Sequence, residues 1–149
     1  MIDPFTLSTG VAGVLSLTLE IGAIVHEYVS NVKNASKEAR DLLIEVQTLG
    51  AVFEQLQVLL RTPELIARIP LFSPQSVLHK VIVSCSEELK DIYHRLEDSA
   101  LVQGKGKNVL ARSLDRLKWP IGKTSVQDAV LRLHRFSQAL TFSLTISNW

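Results

Sequence analysis

The chain has 149 residues and 46% apolar content, as expected for one globular domain with its own core. Cys85 is the only cysteine, which excludes an internal disulfide and fits a reducing compartment. Residues 1–100 hold eight basic and thirteen acidic residues, a net charge of −5, whereas residues 101–149 hold eight basic and two acidic residues, a net charge of +6. The two parts are expected either to pair within the fold or to leave the basic end for anionic lipid or an acidic partner.

The first predicted helix begins at Asp3 and Pro4, because aspartate is a favourable N-cap and proline is favoured at the first helical position. The helix is expected to reach about Asn31. No residue from Pro4 to Leu19 is charged, and Glu20 is the first carboxylate within the helix. Asp3 stands where a signal peptide would carry a basic residue, so a secretory signal is not expected. A ridge of small or polar residues is expected to let another helix approach closely; it consists of Ser8, Ala12, Ser16 and Glu20.

The second and third predicted helices each carry a regular apolar seam. The second is expected over residues 36–61, after the caps at residues 34–36, and the third from about Pro74 to Ala100. Both seams have the spacing 4-3-4-3-4, which is typical of the buried face of a helix. The seam residues are Leu42, Val46, Leu49, Phe53, Leu56 and Leu60 in one helix and Leu78, Ile82, Cys85, Leu89, Ile92 and Leu96 in the other. Cys85 is therefore interpreted as a small core residue and not as a reactive thiol.

The basic end is predicted to hold one short and one long helix. The short helix follows the glycine-rich break at residues 104–106, and its inward residues are Leu110, Leu114 and Leu117. Trp119 and Pro120 form a turn, because proline cannot continue a helix. The last helix runs from residue 124 or 125 to about Ser147, with Val126, Val130, Leu133, Leu140 and Leu144 inward and Phe136 beside them.

No segment alternates apolar and polar residues over a useful length, so no sheet is expected. The predicted fold is all-α: an antiparallel helical bundle of four long helices plus one short helix, forming a single domain over residues 1–149.

Residue patterns typical of enzymes and metal sites are weak in this sequence. Gly122, Lys123 and Thr124 resemble the end of a phosphate-binding loop, but Leu117 stands where that loop needs a glycine. No histidine has a second histidine or cysteine at spacing three or four, and the acidic residues of the third helix, such as Glu88, are interpreted as its solvated side. The basic end lacks interleaved aromatic residues. We therefore predict no enzyme, cofactor, metal or nucleic-acid partner.

The first helix is the most informative segment. Residues 5–25 reach the length of about 20 apolar residues that a membrane span needs, with one charge, although several serines and threonines argue against a permanent anchor. We expect a central helix buried by the others at rest, which could be released later. The Glu20 carboxylate then needs a partner, a water-filled surface or protonation.

Three segments in order resemble fungal HeLo-like (HELL-type) N-terminal domains. The first is residues 1–5, MIDPF, followed by a small and apolar helix. The second is residues 32–35, VKNA, leading into a leucine-rich helix. The third is residues 114–120, LDRLKWP, followed by a final helix containing residues 131–136, LRLHRF. The resemblance covers nearly the whole chain.

This resemblance implies both a context and an activity. HeLo-like domains are found at the N-terminus of fungal NOD-like (STAND) receptors or of effectors with an amyloid signalling motif, so the chain is expected to be the N-terminal part of a longer protein. They are similar to the HeLo cell-death domain and to the four-helix domain of the necroptosis executor. The implied function is regulated permeabilisation of membranes in programmed cell death, heterokaryon incompatibility or innate immunity, cytoplasmic at rest and at the plasma membrane on activation.

The candidate functional residues belong to two groups. The membrane-insertion candidates are Phe5, Leu7, Val11, Val14, Leu15, Leu17, Leu19, Glu20, Ile21 and Val25. The anionic-lipid candidates are Lys105, Lys107, Arg112, Arg116, Lys118 and Lys123. The expected partners are anionic lipids, further copies of the chain on activation, and an upstream receptor or amyloid-motif protein. The alternative is a helical interaction or oligomerisation module of a NOD-like receptor without direct membrane activity.

Overall fold

The computed structural model describes residues 4–32, 34–61, 77–97 and 119–147, with the backbone alone for residues 4–9, 77–78 and 143–147. Within these ranges the chain is all-helical, with four helices and no strand. The helices are α1 (Pro4–Asn31), α2 (Lys37–Leu60), α3 (Val77–Glu97) and α4 (Lys123–Ser147). The predicted bounds of α1 are confirmed, and those of α2 and α4 agree to within two residues. The predicted short helix and the outer ends of the third helix lie outside the described residues.

Local chemistry defines the junction between α1 and α2. Asn34 adopts a left-handed conformation with φ of 61°, which asparagine tolerates better than most residues and which turns the chain. The Ser36 hydroxyl then caps α2 by accepting a hydrogen bond from the backbone N–H of Ala39 over 3.1 Å. Glu38 follows in the first turn, where a carboxylate is favourable to the helix dipole. These features give a short connection between two long helices.

The apolar seams of α2 and α3 are confirmed as the core. Every residue of the α2 seam is buried, as are the five α3 seam residues whose side chains are described. In α4, Val126, Leu133 and Leu140 are buried, while Val130 and Phe136 are partly buried against them. Regular spacing therefore identified the buried face of each of these helices.

The four helices are arranged around this core in the order α1, α2, α4, α3. The principal contacts are α1 with α2 and α3, and α4 with α2 and α3. Thr18 contacts Gly50, and Gly22 contacts Val46, so α1 and α2 run antiparallel. Trp119, just before α4, lies against Tyr28 near the end of α1 with ring centroids 5.2 Å apart. Helix α4 therefore begins at the end of the molecule where α1 ends and α2 begins.

The same reasoning orients α3. A small cavity is lined by residues from the second half of α3, including Arg95, and by residues at the start of α4, including Ser125. Helices α3 and α4 are therefore antiparallel. The remaining neighbours, α1 with α3 and α2 with α4, run in the same direction, because the order around the core differs from the order along the chain.

Candidate functional site

Helix α1 buries one side against the rest of the protein. Of the membrane-insertion candidates, five are buried in the core: Val11, Val14, Leu15, Ile21 and Val25. Leu17 is partly buried, whereas Leu19 and Glu20 are exposed. The side chains of Phe5 and Leu7 lie outside the described residues. Five of the eight candidates with described side chains therefore lie on the inner face of α1, and Leu19 lies on its outer face.

The expectation that α1 is a central helix is wrong for the part of the chain that the structure describes. Helix α1 packs mainly on α2 and α3, and its opposite side is exposed at Ala12, Ser16 and Glu20. Ala12 and Ser16 of the small-residue ridge accordingly face solvent, whereas Glu20, although exposed, contacts Tyr93 of α3. A fully surrounded helix must be apolar on all sides, which the polar positions of α1 prevent.

The Glu20 carboxylate is exposed to water and also accepts a hydrogen bond from a residue on α3. The hydroxyl of Tyr93 donates a hydrogen bond to Oε1 of Glu20 over 3.1 Å. This bond raises the pKa of the Tyr93 hydroxyl, because its proton is held by a negatively charged acceptor. The carboxylate that interrupts the apolar sequence of α1 thus also links α1 to its neighbour.

Helices α1 and α2 approach each other closely at small residues. A methyl group placed on Gly50 would lie 3.5 Å from Cγ2 of Thr18, and one on Gly22 would lie 3.6 Å from Cγ1 of Val46. The Thr18 hydroxyl is satisfied within its own helix, since it donates to the Val14 carbonyl over 2.8 Å. Its methyl group is therefore free to pack against α2.

An apolar groove of about 380 Å³ lies along the outer side of this contact. Its walls include Leu19 and Ala23 from α1 and Ala51 from α2, with His26 and Glu54 at the edges. Nearby apolar side chains are strongly exposed: Leu19 by 54%, Ile44 by 61% and Val58 by 63%. Ile44, Ala51 and Val58 follow one another at spacing seven, so they form a single stripe on α2.

Both helices of this pair are long and apolar enough to cross a membrane, over Gly10–Asn31 and Lys37–Leu60. The core helices of soluble proteins satisfy the same criterion of length and composition, so the finding permits a membrane role without requiring one. Helix α2 was not among the membrane candidates taken from the sequence. Its largely apolar stretch from Leu42 to Leu60, most of the helix, was the signal that could have indicated it.

The lipid-binding candidates are only partly described. Lys123 is exposed at the first position of α4. Lys105, Lys107, Arg112, Arg116 and Lys118 lie outside the described residues. A shared lipid-binding surface of the six cations therefore stays a prediction.

Two polar contacts that the sequence did not predict join α4 to its neighbours. Arg132 binds Glu88 of α3 over 2.9 Å, and Nδ1 of His134 lies 3.1 Å from Oε1 of Glu45 on α2. The two carboxylate side chains are only 15% and 13% exposed, respectively, so the interpretation of Glu88 as solvated was wrong. The Arg132–Glu88 pair joins the basic end of the chain to its acidic part, and a wider pairing of the two parts stays a prediction.

Cys85 is buried in the α3 seam, as predicted. Burial, with a smaller contribution from the charge of Glu88, raises the pKa of the thiol to about 12. A thiol in this state is a poor nucleophile, because the thiolate is the reactive form. Among the described residues, no group of three histidine, cysteine or carboxylate side chains is placed to hold a metal ion.

Helix α1 therefore has a buried apolar face and an exposed face with an apolar groove. The hydrogen bond between Tyr93 and Glu20 links it to α3. The comparisons with known proteins add no assignment to this geometry: no protein-family model, no curated protein and no solved structure matches the chain.

Proposed function

We propose that this chain is a membrane-targeting domain whose α1 is held against the core at rest and is released to permeabilise membranes after oligomerisation. As part of this proposal, the helical bundle is related to the HeLo and necroptosis-executor domains. The proposed biological outcome is programmed cell death. The resting protein is cytoplasmic, and the activated protein binds anionic lipid at the plasma membrane.

The observation that carries the proposal is that α1 buries one face against α2 and α3 and leaves its other face exposed, for example at Leu19. Its 28 residues measure about 42 Å at 1.5 Å per residue, longer than a bilayer core of about 30 Å. Gly10–Asn31 is of span length and low charge, and it is held principally by two neighbouring helices. Among the described residues, the outer face of α1 is exposed at Ala12, Ser16 and Leu19, so its release requires the contacts of its inner face to break.

The buried face of α1 makes its release conditional. Burying one valine, leucine or isoleucine side chain contributes about 1.5–3 kcal/mol, so the five buried candidates together contribute on the order of 10 kcal/mol. That is comparable to the total stability of a small domain, about 5–15 kcal/mol. Spontaneous release is therefore rare, and a trigger such as forced oligomerisation together with a receiving bilayer is needed.

Dye release from anionic liposomes tests this proposal. The purified protein and a fusion that forces it to oligomerise are each added to dye-loaded vesicles, and we expect leakage with the oligomeric form. Expression of the same fusion in cells is expected to lower viability. If neither form releases dye, the protein does not permeabilise membranes.

Two exposed positions provide a matched pair of variants. Leu19→Lys places a charge on the outer face of α1, and Val83→Lys places the same charge on the exposed face of α3. Because a lysine at the bilayer centre costs about 2.5–3.5 kcal/mol, Leu19→Lys should lower leakage roughly tenfold or more. Val83→Lys should leave leakage unchanged, and circular dichroism should show equal helicity for both variants.

The alternative function is a protein-interaction module without membrane activity. It is favoured by exposed apolar side chains on α4, Leu131 and Phe142, which lie outside the α1–α2 pair. Under this alternative, Phe142→Lys weakens self-association measured by analytical ultracentrifugation, Leu19→Lys has no effect on toxicity, and liposomes stay intact.

A further inference from the structure

We infer that α1 does not enter the membrane alone: α1 and α2 enter together as one antiparallel helical hairpin. The inference rests on the proposed function and names its membrane-active unit. Its starting observation is that α2 as well as α1 meets the length and composition of a membrane span. The apolar part of α2, residues 42–60, measures about 28 Å, close to the thickness of a bilayer core.

The contact between α1 and α2 is of a kind that remains favourable in lipid. Water-driven burial does not hold helices together in a bilayer, where close packing at small residues does. Here Gly22 faces Val46 and Gly50 faces the Thr18 methyl group, and a methyl group built on either glycine would lie only 3.5–3.6 Å from that partner. Both contacts survive if the two helices move as a unit.

Removal of α1 alone would break those contacts and expose the buried face of α2. Val46, Leu49 and Phe53 are almost completely buried in the resting fold. A hairpin keeps the α1–α2 interface and gives up the contacts with α3 and α4 only. Two helices also bring two fully hydrogen-bonded backbones into the bilayer, the arrangement that hydrocarbon requires.

The short connection favours the same unit. Asn34 turns the chain with its positive φ, and Ser36 caps α2 immediately afterwards. Helices α1 and α2 thus remain neighbours even when they are detached from the rest of the protein. The polar residues Asn31, Asn34 and Lys37 cluster at this turn, which suits the headgroup region of a membrane.

The outer face of the hairpin combines exposed apolar side chains, which lipid can accommodate, with polar ones such as Gln47 and Glu54, which suit a lumen between assembled hairpins. Leu19, Ile44 and Val58 are exposed apolar side chains, and the groove along the helix contact is lined by Ala23 and Ala51. The hairpin is held to the remainder through Glu20 with Tyr93 and through Glu45 with His134. Insertion of the hairpin must break both polar links, whereas insertion of α1 alone breaks only the first.

Cross-links between helices distinguish insertion of the hairpin from insertion of α1 alone. All variants carry Cys85→Ala, which removes the native thiol. Gly22→Cys with Val46→Cys is designed to form a disulfide between α1 and α2, because a Cβ atom placed on Gly22 would lie 3.6 Å from Cγ1 of Val46. Glu45→Cys with His134→Cys joins α2 to α4 through a short bismaleimide. Glu20→Cys with Tyr93→Cys joins α1 to α3 in the same way. Dye release from anionic liposomes is measured for each tethered protein and for its untethered form.

We expect the α1–α2 disulfide to leave dye release at the level of the reduced protein, and the α2–α4 tether to remove it in proportion to the cross-linked fraction. The α1–α3 tether should block release whichever unit inserts, so it confirms that tethering is effective. Loss of release on forming the α1–α2 disulfide, restored by a reductant, would overturn the inference, as would full activity of the α2–α4 tethered protein. If the untethered oligomeric proteins release no dye, the proposed function itself is wrong, and the hairpin inference is overturned with it.

Discussion

Tyr93 of α3 donates a hydrogen bond from its hydroxyl to Oε1 of Glu20 on α1 over 3.1 Å. The two residues are separated by 73 positions in the chain. Glu20 is the first carboxylate of α1, and this bond gives the helix a polar attachment to α3. Release of α1 from α3 requires this bond to break.

Tyr93→Phe removes that hydrogen bond and keeps the aromatic ring. We expect a small decrease in the free energy of unfolding, because the bond is exposed to water, and faster dye release by the oligomeric form. Glu20→Gln is the matched control, since its amide oxygen still accepts the Tyr93 proton. Chemical denaturation and liposome leakage measure the two effects. Equal leakage rates for wild type and Tyr93→Phe would show that the bond does not restrain α1.

Arg132 and Glu88 make the closest ion pair between α3 and α4, at 2.9 Å. Arg132→Ala removes one partner and leaves Glu88 with little access to water. We expect a loss of about 0.5–1 kcal/mol in the free energy of unfolding, at the level of a solvent-screened pair, because the Arg132 side chain is half exposed. Urea denaturation measures this loss.

Arg135→Ala serves as the control for Arg132→Ala. Arg135 is exposed on the same helix and forms no ion pair with any residue that the structure describes. Its substitution should change the free energy of unfolding by less than about 0.5 kcal/mol. Equal effects of the two substitutions would mean that the α3–α4 pair contributes nothing specific.

The regular seams explain why much of the fold could be predicted from the sequence. Phe53 and Cys85 each belong to a repeat of spacing four and three, and such a repeat defines one face of a helix directly. Both residues are fully buried. Helix bounds were equally accessible, because caps such as Ser36 act on the backbone of their own helix.

The contacts between helices could not be predicted from the sequence in this way. Glu45 pairs with His134 across 89 positions, and that pairing depends on the order of helices around the core, which the periodicity of one helix does not encode. Helix α1 was placed at the centre for the same reason. Its serines and small residues are compatible with either a buried or an exposed helix face. The Glu20 carboxylate was the residue that indicated an exposed one.

Gly50 offers a test of the close contact between α1 and α2. Gly50→Ala adds a methyl group 3.5 Å from Cγ2 of Thr18, an ordinary van der Waals distance. We expect the free energy of unfolding to rise by about 0.5–1 kcal/mol, because alanine favours the helix over glycine. Gly50→Leu should lower it by about 1–3 kcal/mol, since a large side chain forces the helices apart.

Gly13→Ala is the control for helix propensity alone, because nothing lies within 4 Å of a methyl group at that position. It should stabilise the protein about as much as Gly50→Ala does. Thermal denaturation followed by circular dichroism compares the three variants. Stability of Gly50→Leu equal to that of Gly50→Ala would contradict the close contact.

The Cys85 thiol predicts how stability changes at alkaline pH. Burial raises its pKa to about 12 in the folded protein. The pKa of a cysteine in the unfolded chain is about 8.5. The stabilising effect of the protonated thiol is therefore fully present below about pH 8.5 and is lost as the pH rises toward 12. In that window the free energy of unfolding should fall by up to about 1.4 kcal/mol per pH unit from this group.

Cys85→Ala separates this effect from the titration of lysines and tyrosines, which both proteins share. Denaturation curves of wild type and variant between pH 8.5 and 10.5 should diverge, with wild type losing stability faster. The thiol in wild type should also react slowly with a disulfide reagent until the protein is denatured, because the thiolate is scarce in the folded state. Parallel pH profiles and a fast-reacting native thiol would place Cys85 outside the core.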